Sequence, residues 1–379
     1  MNQKITSRIA PTPSGFLHAG NVYNFLLTYL FTRAFDGILY LRIDDYDLPR
    51  YRRQYVENIF RVLDMLGIDF DGGPGGVREF ETKFSSKFRL GAYENTLKTL
   101  EQKGVCYACE CSHSMKNSFK NGIYTRVCAD KNLKFKKDKM AMRLSTIDGA
   151  EILVGQNLIN FDALRGDADG PANQMSGFCG NERTTQNGVA NGLKKLANLV
   201  ISDSEKPGGE KFNFEAVGNS GECFLNSANL GALNLTDETA FETEKFSQAQ
   251  SVNLAQILGD FVVWKKDDTP AYNLASLVDD EILGVNLLVR GEDLLACSAA
   301  QKYAAGLLGY GFKNANFIHH GLLVYGGKKL SKSSSAPAVS VTDGAKMHYK
   351  FAALKLGLDA SKCDTLSNLL EMLKEKFSR

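Results

Sequence analysis

Three clusters in this chain have residue types and spacings that chemistry needs. The first is Arg8-Ile9-Ala10-Pro11-Thr12-Pro13-Ser14-Gly15-Phe16-Leu17-His18-Ala19-Gly20-Asn21, between a short apolar run and a helical pattern. A strand-to-helix junction aims backbone N–H groups and the positive end of a helix dipole at whatever lies in front, which suits phosphate. Gly20 would let the backbone come close, and His18 could offer an imidazole N–H to the same anion. The second cluster is Gly326-Gly327-Lys328-Lys329-Leu330-Ser331-Lys332-Ser333-Ser334-Ser335. Lysines in a Gly- and Ser-rich loop can swing onto a phosphate chain as mobile point charges. Taken singly, these two segments are equally a Pro/Gly turn and a solvated loop. The third is Cys109-Glu110-Cys111 followed by Tyr124-Thr125-Arg126-Val127-Cys128. Three thiolates and a tyrosine at this spacing could close a tetrahedral zinc site, and a closed site is structural. Tyrosine is an unusual ligand on chemical grounds, so the residues alone argue for the three thiolates, with Cys106 near enough to replace one.

The elements that must position these residues are legible from periodicity. Ile5–Ala10 reads as a strand, Asn21–Ala34 as a helix, Ile38–Ile43 as a second strand, and Gln54–Leu66 as a helix ended by Gly67. Strand, helix, strand, helix predicts a parallel sheet with crossover helices. Met140–Leu144 and Ile152–Val154 read as strands. From about 168 to 253 Gly, Asn, Ser and Thr dominate, which predicts a surface insertion, with Leu193, Leu196, Ala197 and Val200 at helical spacing inside it. Order returns at 254: Ile257–Trp264, Leu274–Val278 and Leu287–Val289 read as strands or buried segments, and Val341–Leu358 and Leu366–Phe377 as helices.

Composition excludes several classes. The 379 residues are 44% hydrophobic and 23% charged, which rules out wholesale disorder, a collagen repeat and a disulfide miniprotein. A net charge of +2 neither demands nor forbids a nucleic-acid partner. The start MNQKITSRIAPTPSG lacks the apolar core of a signal peptide, and no run is long enough for a membrane span, so a cytoplasmic location is expected and no membrane partner. The eight cysteines are then in a reducing compartment, where Cys179, Cys223, Cys297 and Cys363 read as unpaired structural thiols. Residues 130–139 form a basic patch with one phenylalanine, either a solvated loop or a set of phosphate contacts.

In this order, the first two clusters resemble the two signatures of class I aminoacyl-tRNA synthetases. Further segments narrow the resemblance to the glutamyl-tRNA synthetase group: Leu41-Arg42-Ile43-Asp44-Asp45-Tyr46-Asp47, Leu66-Gly67-Ile68-Asp69, Asp260-Phe261-Val262, Pro270-Ala271-Tyr272-Asn273-Leu274-Ala275, Val278-Asp279-Asp280 and Val289-Arg290-Gly291-Glu292-Asp293-Leu294. The resemblance implies that Arg8 and Arg290 hold the carboxylates of glutamate, that Tyr272, Ala10 and Thr12 line its pocket, and that Asp44 holds the α-ammonium. It implies ATP and Mg²⁺ at His18, Gly20, Asn21 and Lys332, with Lys329 assisting. The family has glutamate where this chain has Asp44, one methylene shorter. The cysteine pattern is similar to the zinc loop of the short glutamyl-queuosine tRNA(Asp) synthetase branch, which implies Cys109, Cys111, Tyr124 and Cys128 as ligands of Zn²⁺. The 46 residues after the Lys-Ser motif, 334–379, are too few for the anticodon-binding part of the full charging enzymes, which also points to that branch.

The fold expected is a doubly wound, parallel, Rossmann-like domain split by a zinc-bearing, acceptor-contacting subdomain. Its parts would be 1–104 and 254–340 for the catalytic halves, 105–167 for the zinc-bearing subdomain, 168–253 for the insertion and 341–379 for a helical tail. The activity implied is activation of glutamate by ATP and transfer to the queuosine base of tRNA(Asp), by a monomer. Rivals are an enzyme charging the tRNA 3′ end with glutamate, a nucleotidylyltransferase sharing the first motif, and a non-catalytic tRNA-binding paralogue.

Overall fold

The structure, a computed structural model, describes residues 4–112, 115, 118–120, 122–146, 151–154, 250–325, 328–329 and 338–378. Strand β1 (Thr6–Ile9) lies parallel to β2 (Ile38–Leu41), in register from Thr6 opposite Ile38 to Ile9 opposite Leu41. The crossover between them is helix α1 (Ala19–Ala34). Val22, Tyr23, Leu26, Leu27, Leu30 and Phe31 of α1 are buried, so the helix is apolar nearly all round. That suits an element with packing on two sides. One side meets the sheet, and the other meets the helices Lys346–Lys355 and Leu366–Ser378, where Phe377 stacks on Phe31 and Phe35. Helix α2 (Arg53–Met65) buries only one face, through Val56, Ile59, Val62 and Leu63.

Beyond β2 the chain adds a third parallel connection at Asp71–Gly72: Asp71 N donates to Leu39 O at 2.7 Å and Leu41 N to Gly72 O at 2.9 Å. The next residue, Gly73, has φ +120°, and a Cβ there would sit 2.1 Å from Leu41 O. Only glycine fits both demands.

The second half repeats the pattern. Strand β10 (Leu287–Gly291) pairs in parallel with β11 (Asn316–His320), and a helix over Leu295–Leu308 makes the crossover. The two halves join at their starts: Asn286 N donates to Thr6 O at 3.0 Å, and Thr6 N to Asn286 Oδ1 at 2.8 Å. The spatial order is therefore 71–72, β2, β1, β10, β11. Connections run outward from the centre in both directions, so the reversal of strand order falls between β1 and β10. Ligands bind outside the carboxyl ends of strands at such a point.

A smaller antiparallel region stands beside this sheet. Strand β3 (Cys106–Cys109) pairs with β6 (Ala141–Leu144), and β6 with β9 (Phe261–Trp264). A hairpin of β4 (Phe119–Lys120) and β5 (Ile123–Tyr124) hangs from its edge. Strand β7 (Glu151–Val154) pairs antiparallel with β8 (Gln250–Asn253), so the chain leaves for the Gly/Asn/Ser-rich segment and returns at one place. Residues 155–249, including the helical spacing at Leu193–Val200 and Cys179 and Cys223, lie outside the described residues.

The apolar run Leu274–Val278 belongs to a helix, Tyr272–Ile282, not a strand. Short apolar runs are ambiguous between the two. Here Asp279, Asp280 and Glu281 carry the helical register on past the apolar stretch. The helical pattern from Val341 begins only at Lys346. Among the described residues, no helix is long and apolar enough to cross a membrane. Gly73→Ala should lower stability by at least about 2 kcal/mol, through backbone strain and the clash with Leu41 O. A urea midpoint equal to wild type would contradict this.

Candidate active site and metal cluster

A cavity of about 420 Å³ opens where the carboxyl ends of β1 and β10 diverge. Arg8, Ala10, Pro11 and Thr12 reach it from β1, and Val289, Arg290 and Gly291 from β10. The start of α1 contributes His18, Gly20, Asn21 and Asn24, and Tyr272 stands at the first residue of its helix. Eight of the eleven residues the sequence assigned to glutamate or ATP are thus brought to one place.

The first turn of α1 is tightly built. Asn21 Oδ1 accepts from His18 N at 3.1 Å, and Asn21 N donates to His18 O at 2.9 Å. The Oδ1 and backbone N–H of Asn21 are therefore committed to the turn itself. The Gly20 N–H, in the first turn, has no acceptor within the helix. A Cβ on Gly20 would come within 3.1 Å of the His18 ring, so glycine here lets the imidazole lie over the backbone.

Below the cavity lies a network of buried charge. Asp280 Oδ1 accepts from Arg8 Nε at 2.8 Å and Arg42 Nη1 at 2.7 Å, and its Oδ2 faces Arg290 Nη2 at 3.6 Å. Asp44 takes Arg42 with both oxygens, at 2.6 and 3.1 Å. Ser276 O and Oγ accept the remaining Arg42 donors at 3.3 and 3.0 Å. All five N–H donors of Arg42 are thus used. Arg8 and Arg290 are not saturated in this way. The η nitrogens of Arg8 have no acceptor among the described residues. Arg290 Nη1 donates to Gln301 Oε1 at 2.7 Å and Ser298 Oγ at 3.2 Å, while among the described residues its Nε and Nη2 have no hydrogen-bond partner. Three guanidiniums face two carboxylates, leaving one unit of positive charge beneath the cavity.

The titration shifts follow from this arrangement. Burial alone would raise the Asp280 pKa, but Arg42, Arg8 and Arg290 outweigh it and hold it below the usual carboxylate range. For Asp44 burial wins over Arg42, and its pKa rises. Burial, and the neighbouring Arg8, pull Arg290 downward, as expected of a cation short of counter-charge. Burial, with Arg290 and His320, lowers His319 to about 3, so its ring is neutral where Nε2 meets Ser298 Oγ at 3.0 Å.

Asp44 does not line the cavity: it is 2% exposed and chelated by Arg42. Lys329 lies in a short antiparallel pair, opposite Val324, and Lys332 is outside the described residues. Sequence reading did not assign roles to Asp280, Arg42, Asn24, Arg50, Asp293 or His320. Asn24 Nδ2 donates to Val289 O at 3.2 Å and meets His320 Nε2 at 3.0 Å, tying α1 to the ends of β10 and β11. The available signal for Asp280 was the adjacent Asp279-Asp280 pair. Successive helix positions point about 100° apart. Accordingly, Asp279 serves a different set, accepting from Tyr46 Oη, Tyr93 Oη and Arg89 at 2.7 to 2.8 Å.

The cysteine cluster is also assembled. The sulfurs of Cys109, Cys111 and Cys128 lie within 4.8 Å of one another and are buried. Tyr124 Oη is 3.3 Å from Cys109 Sγ and 3.5 Å from Cys111 Sγ, and Cys111 and Cys128 are 3.5 Å apart. Tetrahedral ligands at the Zn–S distance are separated by roughly 3.8 Å, so three thiols and one phenol fit a closed four-donor site. Burial opposes ionisation of Cys111, but hydrogen bonds from Ser118, Tyr124 and Cys128 bring its thiol down to about 7. Cys106 is not part of the set: it lies opposite Leu144 and packs against the apolar core around Met142, Leu144 and Trp264. In the adjoining loop Leu133 and Phe135 pack inward, while Lys134, Lys136 and Lys139 are exposed.

Known proteins resemble this chain in sequence and in fold. The catalytic domain of the class I tRNA synthetases for E and Q matches residues 4–145 and 234–357. A glutamyl-Q tRNA(Asp) synthetase of Acinetobacter baylyi is 25% identical over 365 residues, covering 96% of this chain and 89% of that protein. Glutamate–tRNA ligase 2 of Syntrophus aciditrophicus is 28% identical over 337 residues, and the chain spans about half of it, 52%. The crystal structure of a glutamate–tRNA synthetase from Elizabethkingia anophelis shares the fold, with a TM-score of 0.59 at 16% identity over 98% of this chain and 66% of that one.

Removing Asp280 leaves three buried guanidiniums sharing one carboxylate. Asp280→Ala should cost about 3–5 kcal/mol in denaturant unfolding. A loss under about 1 kcal/mol would mean that the arginines are held by other means.

Proposed function

The chain belongs to the class I tRNA synthetases for glutamate and glutamine, and from that premise we propose that it activates glutamate with ATP and transfers it to the queuosine base of tRNA(Asp). One observation carries the first half: two arginines with uncommitted donors, Arg8 and Arg290, line one cavity over an excess positive charge. A dicarboxylate is the complementary ligand, because guanidinium–carboxylate pairing is directional and charge-assisted. Tyr272, Ala10 and Thr12 would close around its chain. Asp44, turned to Arg42, would act on the α-ammonium only through the field of the network.

The nucleotide would lie toward the start of α1. A carboxylate oxygen of glutamate attacks the α-phosphorus of ATP, the bond to the bridging oxygen breaks, and pyrophosphate leaves with the electron pair. Charge grows on the phosphoryl oxygens and on the leaving group. His18 and the Gly20 N–H, which line the cavity, would meet it, and Lys332, with Lys329, would reach from the Lys-Ser loop. Mg²⁺ would arrive with ATP and neutralise its phosphates. In the second step a hydroxyl of the queuosine cyclopentenediol attacks the acyl carbon, and AMP departs.

The choice of acceptor is supported by the four-donor cluster at Cys109, Cys111, Tyr124 and Cys128, the pattern that the queuosine-directed branch carries. Zinc held there would lock the hairpin and leave no open coordination position, so its part is structural. The exposed Lys134, Lys136 and Lys139 beside it suit tRNA phosphates, which position without reading sequence.

Glutamate-dependent ATP–pyrophosphate exchange should proceed without tRNA. With queuosine-bearing tRNA(Asp), labelled glutamate should be recovered on the anticodon nucleoside after nuclease digestion. Label on the terminal adenosine would show a charging enzyme, and exchange absent at saturating glutamate would point to a charging enzyme that needs tRNA for activation, to a different amino acid in the pocket, or to a binding protein.

A further inference from the structure

We propose that Arg143 is the counter-cation of the Cys109–Cys111–Tyr124–Cys128 metal centre, an outer-sphere group that holds two of the four donors and balances their charge. The proposal rests on the metal reading of that cluster. Arg143 lies in β6 and is 7% exposed. A buried guanidinium needs a counter-charge, since burying it alone is very costly. Among the described residues it makes no ion pair with a carboxylate. Asp260 offers Arg143 only its backbone: Nη1 donates to Asp260 O at 2.8 Å. The Asp260 carboxylate is taken by Tyr107 Oη at 2.6 Å, Arg126 Nη1 at 2.6 Å, and Thr146 N and Oγ1 at 2.8 and 3.0 Å.

What Arg143 does face is the cluster. Its Nε donates to Cys109 Sγ at 3.3 Å. Its Cζ lies 3.7 Å from the centroid of the Tyr124 ring, and the Phe119 ring lies 5.7 Å away. The first contact is a charge-assisted hydrogen bond once the sulfur is a metal-bound thiolate. The second is a cation over an aromatic face. Zn²⁺ with three thiolates and a neutral Tyr124 phenol carries one net negative charge, and one guanidinium cancels it. Arg143 therefore finds in the loaded cluster the counter-charge that no carboxylate among the described residues supplies by an ion pair.

The same side chain has a mechanical role. Through Asp260 O it reaches the start of β9, and Tyr107, opposite it on β3, reaches the Asp260 carboxylate. A Cys/Tyr cluster on short hairpins is thereby fastened to the three-stranded sheet.

The test uses the full chain and zinc itself. Zinc affinity and release would be measured by competition with a chromogenic chelator, for wild type and for Arg143→Met, Arg143→Gln and Arg143→Lys, with circular dichroism at saturating zinc to confirm folding. Loss of an outer-shell partner typically weakens metal binding about 10–100-fold. Both neutral variants should fall in that range, and whichever folds suffices. Arg143→Lys should recover part of the loss by restoring the charge. Wild-type affinity in a folded neutral variant would overturn the role of Arg143 while leaving the zinc site standing. A wild-type chain that takes up no zinc would overturn the metal reading, and this proposal with it.

Discussion

The site depends on one fully buried carboxylate. Asp280 lies on the helix behind the sheet and holds Arg8 from β1, Arg42 from the end of β2 and Arg290 from β10. Those strands belong to both halves of the doubly wound sheet, whose strand ends separate at the cavity. Three cations this close would repel one another, and Asp280 with Asp44 reduces the imbalance to one unit. Neutrality is not reached, and that shortfall is the chemical content of the pocket. Arg42 is saturated and structural, whereas Arg8 and Arg290 keep donors in reserve. On the proposed function, a ligand carboxylate would supply both the missing charge and the missing acceptors.

The antiparallel region is fastened by a second acid used in the same way. Asp260 collects Tyr107, Arg126 and Thr146 with its carboxylate and Arg143 with its carbonyl. It links the segment bearing the four donors to β9, which leads directly into the helix carrying Tyr272 and Asp280. The cysteine cluster and the cavity are therefore anchored to consecutive elements of one chain segment.

Much of this was legible in the sequence, and the reasons differ by residue. The crossover elements of the first hundred residues have strong periodicity, so β1, α1, β2 and α2 fall within a few residues of expectation. The convergence of Arg8, His18, Tyr272 and Arg290 follows from motif order, because a doubly wound sheet delivers strand ends to one edge. Asp44 was legible as a residue but not as a geometry. Whether a carboxylate faces the pocket or a neighbouring arginine depends on Arg42, two residues away, whose partners lie more than 230 positions further on. Asp280 was hidden for the same reason: in sequence it is one of two adjacent acids, and only the helix rotation separates their tasks. The run Leu274–Val278 was ambiguous because a short apolar stretch has no period of its own.

The central claim is that excess positive charge at Arg8 and Arg290 selects a carboxylate side chain. Calorimetric titration with glutamate and glutamine, side by side, tests it most directly, because the two differ by one charged group at nearly constant shape. A charged hydrogen-bonded pair contributes about 1.5–3 kcal/mol, so glutamate should bind roughly 10–100-fold more tightly. Equal affinity for the two amino acids would contradict the account.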